Sequence, residues 1–238
     1  VTAMILFFDI DETLVDQSRS EKIAATHFWD ELKLAKQYTL PAFHREWETS
    51  KNRSIQKYLN GEISFPEQRR ERIRHFFPGQ NENDTTIDSY FEIYREAFEA
   101  SWSLFPDVCP CLDRFRDSRL GIISNGDSQQ QRRKLQNTGI FERFEVIVIS
   151  GDCGFPKPNK EIFIEACKQM GAKPERCLYI GDHYETDIIG CTSAGMNGIL
   201  INRPQKKHPE STFAISSLRE LNEETLNQAA RNTDADQH

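Results

Sequence analysis

The 238-residue sequence has no apolar run near the roughly 18 residues that a membrane-spanning helix needs, so no membrane segment is expected. It also has no surplus of basic residues. Thirty Lys and Arg face 37 Asp and Glu, a formal net charge of −7, which argues against a nucleic-acid backbone as partner. None of the six cysteines forms a Cys-x-x-Cys pair. The neighbours Cys109 and Cys111 lack the second cluster that would complete a zinc site. Reduced thiols and a cytoplasmic chain are the expectation. No internal repeat is visible. The first eight residues lack a basic leader and reach Asp9 at once, so they read as a strand and not as a signal segment. What the chain does have is 37% hydrophobic residues, enough for a packed core.

Five short apolar runs, at 4–8, 120–123, 146–149, 177–180 and 198–201, read as buried parallel strands. Helical stretches at 129–137, 160–170 and 187–194 separate the last four. Gly139, Gly171 and Gly195 follow these helices, where a left-handed cap is useful. Alternation of strand and helix predicts an α/β fold, an open parallel sheet with helices on both faces and a Rossmann-like core. The stretch between the first two strands is far too long for a simple crossover. Its pattern is helical. Ser18 with Glu21 and Ser64 with Glu67 resemble capping boxes. Ile87, Tyr90, Phe91, Tyr94, Ala97 and Phe98 recur at amphipathic-helix spacing. An inserted helical cap domain over 18–102 is expected, with 1–17 and 103–230 forming the α/β core and 231–238 a disordered tail. Lys51, Arg53 and Lys57, and Arg69, Arg70, Arg72 and Arg74, form two basic clusters that read as solvated helix faces.

Ligands of open parallel sheets sit outside the carboxyl ends of the strands. The residues there are Asp9-Ile10-Asp11-Glu12-Thr13, Ser124-Asn125-Gly126, Ser150 through Lys157, and Gly181-Asp182. All four places are polar. Asp9 and Asp11, two apart, can point to one side, and their repulsion is relieved by a cation or by a proton. Asp182 and Asp187 add two more carboxylates. Such hard oxygen donors suit magnesium. Lys157 and the Ser124 hydroxyl add positive charge and a donor. The whole describes a site for an oxygen-rich anion, with phosphate the obvious candidate.

These four ordered segments, Asp9-x-Asp11-x-Thr13, Ser124, Lys157-Pro158 and Gly181-Asp182-x-x-x-x-Asp187, resemble the motifs of haloacid dehalogenase-like hydrolases. The resemblance runs from Met4 to about Leu221, with the helical insertion where that family places its type-one cap. Ser124-Asn125-Gly126-Asp127 and Lys157 through Phe163 are most similar to pyrimidine nucleotidases and N-acylneuraminate-9-phosphatases. The resemblance implies a magnesium-dependent phosphatase acting on a small phosphorylated metabolite, a nucleoside monophosphate or a sugar phosphate. It implies Asp9 as nucleophile, forming an aspartyl-phosphate, and Asp11 as general acid and then base. The metal ligands would be Asp9, the Asp11 main-chain carbonyl and Asp182. Asp187 would complete the metal shell through water or hold Lys157. Thr13 would orient Asp11. Ser124 and Asn125 would hold phosphoryl oxygens, and Lys157 would balance charge. His183 is read either as touching a metal-bound water or as structural. A phosphomutase shares these groups and stays open as the alternative. A non-catalytic binding module would lack one of the groups, and none is lacking.

Overall fold

A computed structural model describes residues 5–79, 82–203, 208–209 and 212–235. The chain divides into two compact units, Val1–Gln17 with Ser103–His238, and Ser18–Trp102. In chain order the strands are β1 Ile5–Phe8, β2 Arg119–Ser124, β3 Val146–Ile149, β4 Cys177–Gly181, β5 Asn197–Ile201 and β6 Ala214–Ile215. The helices are α1 Gln17–Glu31, α2 Leu40–Leu59, α3 Phe65–Arg74, α4 Asp84–Ala100, α5 Val108–Arg114, α6 Ser128–Asn137, α7 Ser150–Cys153, α8 Lys160–Gln169, α9 Gly190–Ser193 and α10 Glu223–Ala235. The expected start of β1 at Met4 lies outside the described residues.

The first unit is a parallel sheet of order β3-β2-β1-β4-β5-β6. Strand β1 alternates across it. Leu6 and Phe8 enter one core with Leu112, Leu135 and Leu226, while Ile5 and Phe7 enter the other with Ile162, Phe163 and Tyr179. Both faces are therefore covered, which is why every strand reads as a continuous apolar run. Burying each large side chain contributes roughly 1.5–3 kcal/mol. The chain reverses its direction of winding at β1, between β2 and β4, so the carboxyl ends of these central strands form the switch point at which such sheets bind ligands. The glycines Gly139, Gly171 and Gly195 have φ of 74°, 62° and 85°, the left-handed caps expected of them.

Three readings are corrected here. Strand β6 was too short to see in the sequence. The helix expected over 187–194 begins earlier, as a π-helical stretch Tyr184–Ile189, followed by α9. Residues 231–235, expected to be disordered, belong instead to α10. Asn222 Oδ1 accepts from the Glu224 and Thr225 amides, Leu226 and Ala229 pack on the sheet core, and α10 continues to Ala235. Residues 236–238 lie outside the described set.

The second unit is helical and aromatic inside. Phe28, Phe43, Trp47, Phe76, Tyr94, Phe98 and Trp102 share one core. Trp47 and Tyr94 lie 4.6 Å apart between ring centroids, Phe43 and Phe76 4.9 Å, spacings at which aromatic pairs attract beyond simple burial. Helix α4 buries Ile87, Phe91, Tyr94 and Phe98, the stripe that its spacing predicts. Ser64 caps α3 by accepting from the Glu67 amide at 3.3 Å. Helix α1 starts at Gln17, one residue before Ser18. Members of both basic clusters pair with acidic side chains inside this unit, mostly at partly exposed positions. Lys51 pairs with Glu21 and Glu48, Lys57 with Glu71, Arg70 with Asp84 and Asp88, and Arg74 with Asp84. Arg72 is buried near Trp47 and Phe91. Ser20 and Ser101 exchange hydroxyl-to-carbonyl hydrogen bonds at 3.0 and 3.2 Å, which ties the two ends of the unit together.

Candidate active site

Asp9 follows β1 directly. Its amide donates to Ile180 O at 2.9 Å, so the central ladder extends to the residue itself. The chain then folds into a tight loop, with the Leu14 and Val15 amides both donating to Ile10 O and the Glu12 amide to Val15 O. Glu12 sits in the left-handed region at φ 59°. Such a conformation costs of order 1–3 kcal/mol in a residue with a side chain. The loop holds Asp9 and Asp11 at the sheet's carboxyl edge.

Lys157 is the hub. Its ammonium donates to Asp9 Oδ1 at 2.8 Å, Asp187 Oδ1 at 2.7 Å and Tyr179 OH at 2.9 Å, using all three donors. The pairs are buried, with side-chain exposures of 4% for Lys157, 8% for Asp9 and 1% for Asp187. Asn125 fixes the Lys157 backbone from both sides. Its Oδ1 accepts from the Lys157 amide at 2.7 Å, and its Nδ2 donates to the Lys157 carbonyl at 3.1 Å. The Asn125 side chain is therefore committed to Lys157, and only its main-chain amide is left for an anion. Tyr179 in turn donates to Ile123 O at 2.8 Å.

The electrostatics follow from this geometry. Burial pushes the Asp9 carboxyl up to about 6; Lys157 opposes the rise, and Asp187 and Asp11 add to it. Burial, then repulsion from Asp9 and Asp187, pushes Asp182 up to about 8. For Lys157, burial works to lower the pKa, and the Asp187 and Asp9 carboxylates more than offset it, so the ammonium is held charged.

Asp187 lies one helical turn beyond β4, in the π-helical stretch, and is turned back toward the strand. Its Oδ2 accepts from the His183 amide at 2.9 Å. This return needs Gly181, since a Cβ there would stand 2.4 Å from Asp187 Oδ2. His183 is exposed, and its Nδ1 accepts from the Thr186 amide, a capping role. Oxygens of Asp9, Asp182 and Asp187 all lie within 4.8 Å of one another. Among the described residues no lysine or arginine pairs with Asp182. A buried carboxylate cluster with an unneutralised member and raised pKa values fits a hard divalent cation.

Asp11 is held by residues that the sequence reading did not single out. Lys134 donates to its Oδ1 and Gln131 Nε2 to its Oδ2. Gln131 also donates to Ser124 Oγ at 3.2 Å, which links the two motifs. Thr13 does not orient Asp11. Its side chain is fully buried with Oγ1 lacking any hydrogen bond, and its carbonyl accepts from Arg203 Nη2 at 2.8 Å. Gln131, Lys134 and Tyr179 are the members that sequence reasoning missed. The available signal was spacing: Gln131, Lys134 and Leu135 occupy the inward face of α6, where two polar residues are unusual.

A buried lysine thus bridges two aspartates at the carboxyl end of a doubly wound sheet, beside three carboxylates that could hold a cation, an arrangement consistent with a hydrolase-type site. A profile of the haloacid dehalogenase-like hydrolases matches residues 3–195, and the chain belongs to that family. Over 100 residues it is 44% identical to a glyceraldehyde 3-phosphate phosphatase of Methanothermobacter thermautotrophicus, covering 41% of this chain and 44% of that one. Over 122 residues it is 38% identical to the pyrimidine 5'-nucleotidase YjjG of Escherichia coli, covering 49% and 54%. In these matches the chain spans about half the length of the relative. The N-acylneuraminate-9-phosphatase of Rattus norvegicus is 27% identical over 232 residues, 91% of each chain. A crystal structure of the HAD-hydrolase YfnB from Bacillus subtilis bound to magnesium superposes with a TM-score of 0.76 at 24% identity, covering 92% of this chain and 96% of that one. That likeness shows the shared fold. Among the described residues no helix is long and apolar enough to cross a membrane.

Proposed function

We propose that the protein is a magnesium-dependent phosphatase that hydrolyses a small phosphorylated metabolite, a nucleoside monophosphate or a sugar phosphate, through an aspartyl-phosphate on Asp9. The observation that carries the reading is the Lys157 ammonium bonded to both Asp9 and Asp187 in a buried site. It orients the Asp9 carboxylate as a nucleophile and offers positive charge to an arriving phosphoryl group. Asp9 attacks phosphorus, and the bond from phosphorus to the leaving oxygen breaks. Asp11 gives that oxygen a proton. It then takes one from the water that attacks the acyl phosphate, and inorganic phosphate leaves. The Ser124 hydroxyl and the Asn125 main-chain amide are the assigned donors to phosphoryl oxygens. Asp9, Asp182 and the Asp11 carbonyl are the assigned magnesium ligands. When bound there, magnesium would supply a positive field that keeps Asp9 ionised and lessens its repulsion of the phosphoryl group. Asp187, engaged by Lys157 and the His183 amide, is assigned to holding Lys157 and not to the metal shell. The unit Ser18–Trp102 is assigned as the cap domain, and residues 1–17 with 103–230 as the catalytic core. Six free cysteines suit a reducing cytoplasm.

The test is phosphate release from a panel of phosphorylated metabolites, with and without magnesium, by the native protein and by Asp9→Asn. An amide is a poor nucleophile, so the variant should form no phosphoenzyme. Sustained turnover by pure Asp9→Asn would sink the mechanism. Transfer of phosphate to a second sugar hydroxyl, with almost none freed to water, would make the enzyme a mutase.

A further inference from the structure

Helix α6 starts three residues beyond Ser124-Asn125 and is capped by Asp127, whose Oδ1 accepts from the Gln130 amide at 2.8 Å. The cap fixes where the helix begins. It thereby fixes Gln131 and Lys134, one turn apart on the face turned inward. Their exposures are 3% and 1%. A lysine so deeply buried is uncommon without a partner that needs it. The Lys134 ammonium contacts Asp11 Oδ1 and Gln17 Oε1, the latter at 2.9 Å. Gln131 Nε2 approaches Asp11 Oδ2 at 2.9 Å, Asn125 O at 3.0 Å and Ser124 Oγ at 3.2 Å. Its Oε1 is buried with no hydrogen bond, so the amide is oriented entirely by its donor side.

Both Asp11 carboxylate oxygens are thus occupied by donors from one helix. The same donors reach the phosphate-site hydroxyl on one side and, on the other, Gln17, where the chain leaves the sheet unit. Packing alone gives no reason for this pair, since leucine would fill either position without burying polar atoms. We infer that Lys134 and Gln131 are positioning residues that hold the Asp11 carboxylate by both oxygens and fix it relative to Ser124 and to Gln17. This inference rests on the proposed acid–base role of Asp11 and deepens it. Neither side chain is a catalytic residue, because each acts through Asp11.

The experiment compares Lys134→Met, Lys134→Arg, Asp11→Asn and the double variant Asp11→Asn/Lys134→Met in the full chain, with an alkyl phosphate as substrate. A misplacement of about 1 Å can cost on the order of 100-fold. Lys134→Met is therefore expected to lower kcat by roughly 10–100-fold. KM should change by less than about 3-fold, because Lys134 makes no contact with the proposed phosphate donors. Lys134→Arg should recover part of the loss. In the Asp11→Asn background the Lys134→Met change should have almost no further effect on kcat. Independently of turnover, urea midpoints of the native protein, Lys134→Met, Asp11→Asn and the double variant without metal should be non-additive in the same sense. Unaltered kcat in folded Lys134→Met, or equal losses with and without Asp11, would overturn the inference. If Asp11→Asn itself keeps full turnover, the acid–base reading fails instead. The urea cycle then still decides whether Lys134 holds Asp11. Should Lys134→Met not fold, Lys134→Gln and Gln131→Leu carry the same comparison.

Discussion

The carboxylate cluster predicts an unusual pH dependence of stability. Asp9 is raised from its ordinary 3.8 to about 6 and Asp182 to about 8. A group whose folded pKa lies above its unfolded value binds its proton more tightly in the folded state. Its contribution is complete below about pH 4 and disappears as the pH rises through the folded pKa. Each pKa unit corresponds to about 1.4 kcal/mol, so the Asp9 shift alone amounts to about 3 kcal/mol. Asp182 acts in the same direction and extends the loss to about pH 8. The two do not simply add, because each charge contributes to raising the other. The Cys177 thiol, lowered mainly by its hydrogen bond with Cys167, opposes this trend at the alkaline end, and other groups oppose it at lower pH. His44, lowered mainly by burial, loses stability as the pH falls through and below its ordinary 6.5, and Asp107, held down by Arg203 and Ser217 against its burial, does so in the acid range.

The assay is thermal unfolding in a metal chelator from pH 5 to 9. Only about 1.4 kcal/mol of the Asp9 contribution lies above pH 5, and 1 kcal/mol moves Tm by about 2–4 °C for a chain of this size, so Asp9 alone should lower Tm by roughly 3–6 °C across the range, with Asp182 adding to the fall. Magnesium should raise Tm, and more at pH 8.5 than at pH 5.5, because a cation relieves a repulsion that exists only when the cluster is ionised. Asp182→Asn should flatten the upper part of the curve. A chelated protein whose Tm is flat or rising from pH 7 to 9, and identical in Asp182→Asn, would refute the reasoning.

Two further outcomes are expected. Lys157→Met leaves Asp9 and Asp187 buried without their cation and should cost about 3–5 kcal/mol in urea unfolding at pH 7, with turnover abolished; Lys157→Arg should not restore it, because the three acceptors at 2.7–2.9 Å close around a compact ammonium. Gly181→Ala puts a methyl group 2.4 Å from Asp187 Oδ2, so it should cost about 1–3 kcal/mol and lower kcat far more than a solvent-exposed alanine substitution; native kcat would mean that Asp187 tolerates displacement from Lys157.

The strand ends were legible because parallel sheets place chemistry just beyond apolar runs, and Asp9, Ser124, Lys157 and Asp182 each follow or lie near such a run. Tyr179 was not legible. It lies inside β4, where an aromatic reads as core, and only its hydroxyl reveals the link from Lys157 to Ile123 O. Gln131 and Lys134 were hidden differently, since a polar residue on a helix reads as solvated unless its face is known. Thr13 misled for the opposite reason. The Asp-x-Asp-x-Thr spacing suggests a hydroxyl beside Asp11, but the tight loop sends that side chain into the core. The start of the helix near Asp187 was misplaced because a π-helical turn does not follow the 3.6-residue period.

These buried contacts also sharpen the case for a cation. Four carboxylates, those of Asp9, Asp11, Asp182 and Asp187, gather at the carboxyl ends of β1 and β4. Two buried lysines answer them. Lys157 serves Asp9 and Asp187, and Lys134 serves Asp11. Asp182 receives no such partner, and it is also the carboxylate pushed up to about 8. When all four carboxylates are ionised, they exceed the two lysines by two charges beside Asp182 and Asp9, a deficit that one dication would neutralise. The distribution of the lysines thus points to the same place as the oxygen cluster does. A third lysine near Asp182 would have supplied only one of the two missing charges. Its absence among the described residues is consistent with charge supplied by an ion, since Lys157 is already committed to two carboxylates and a hydroxyl.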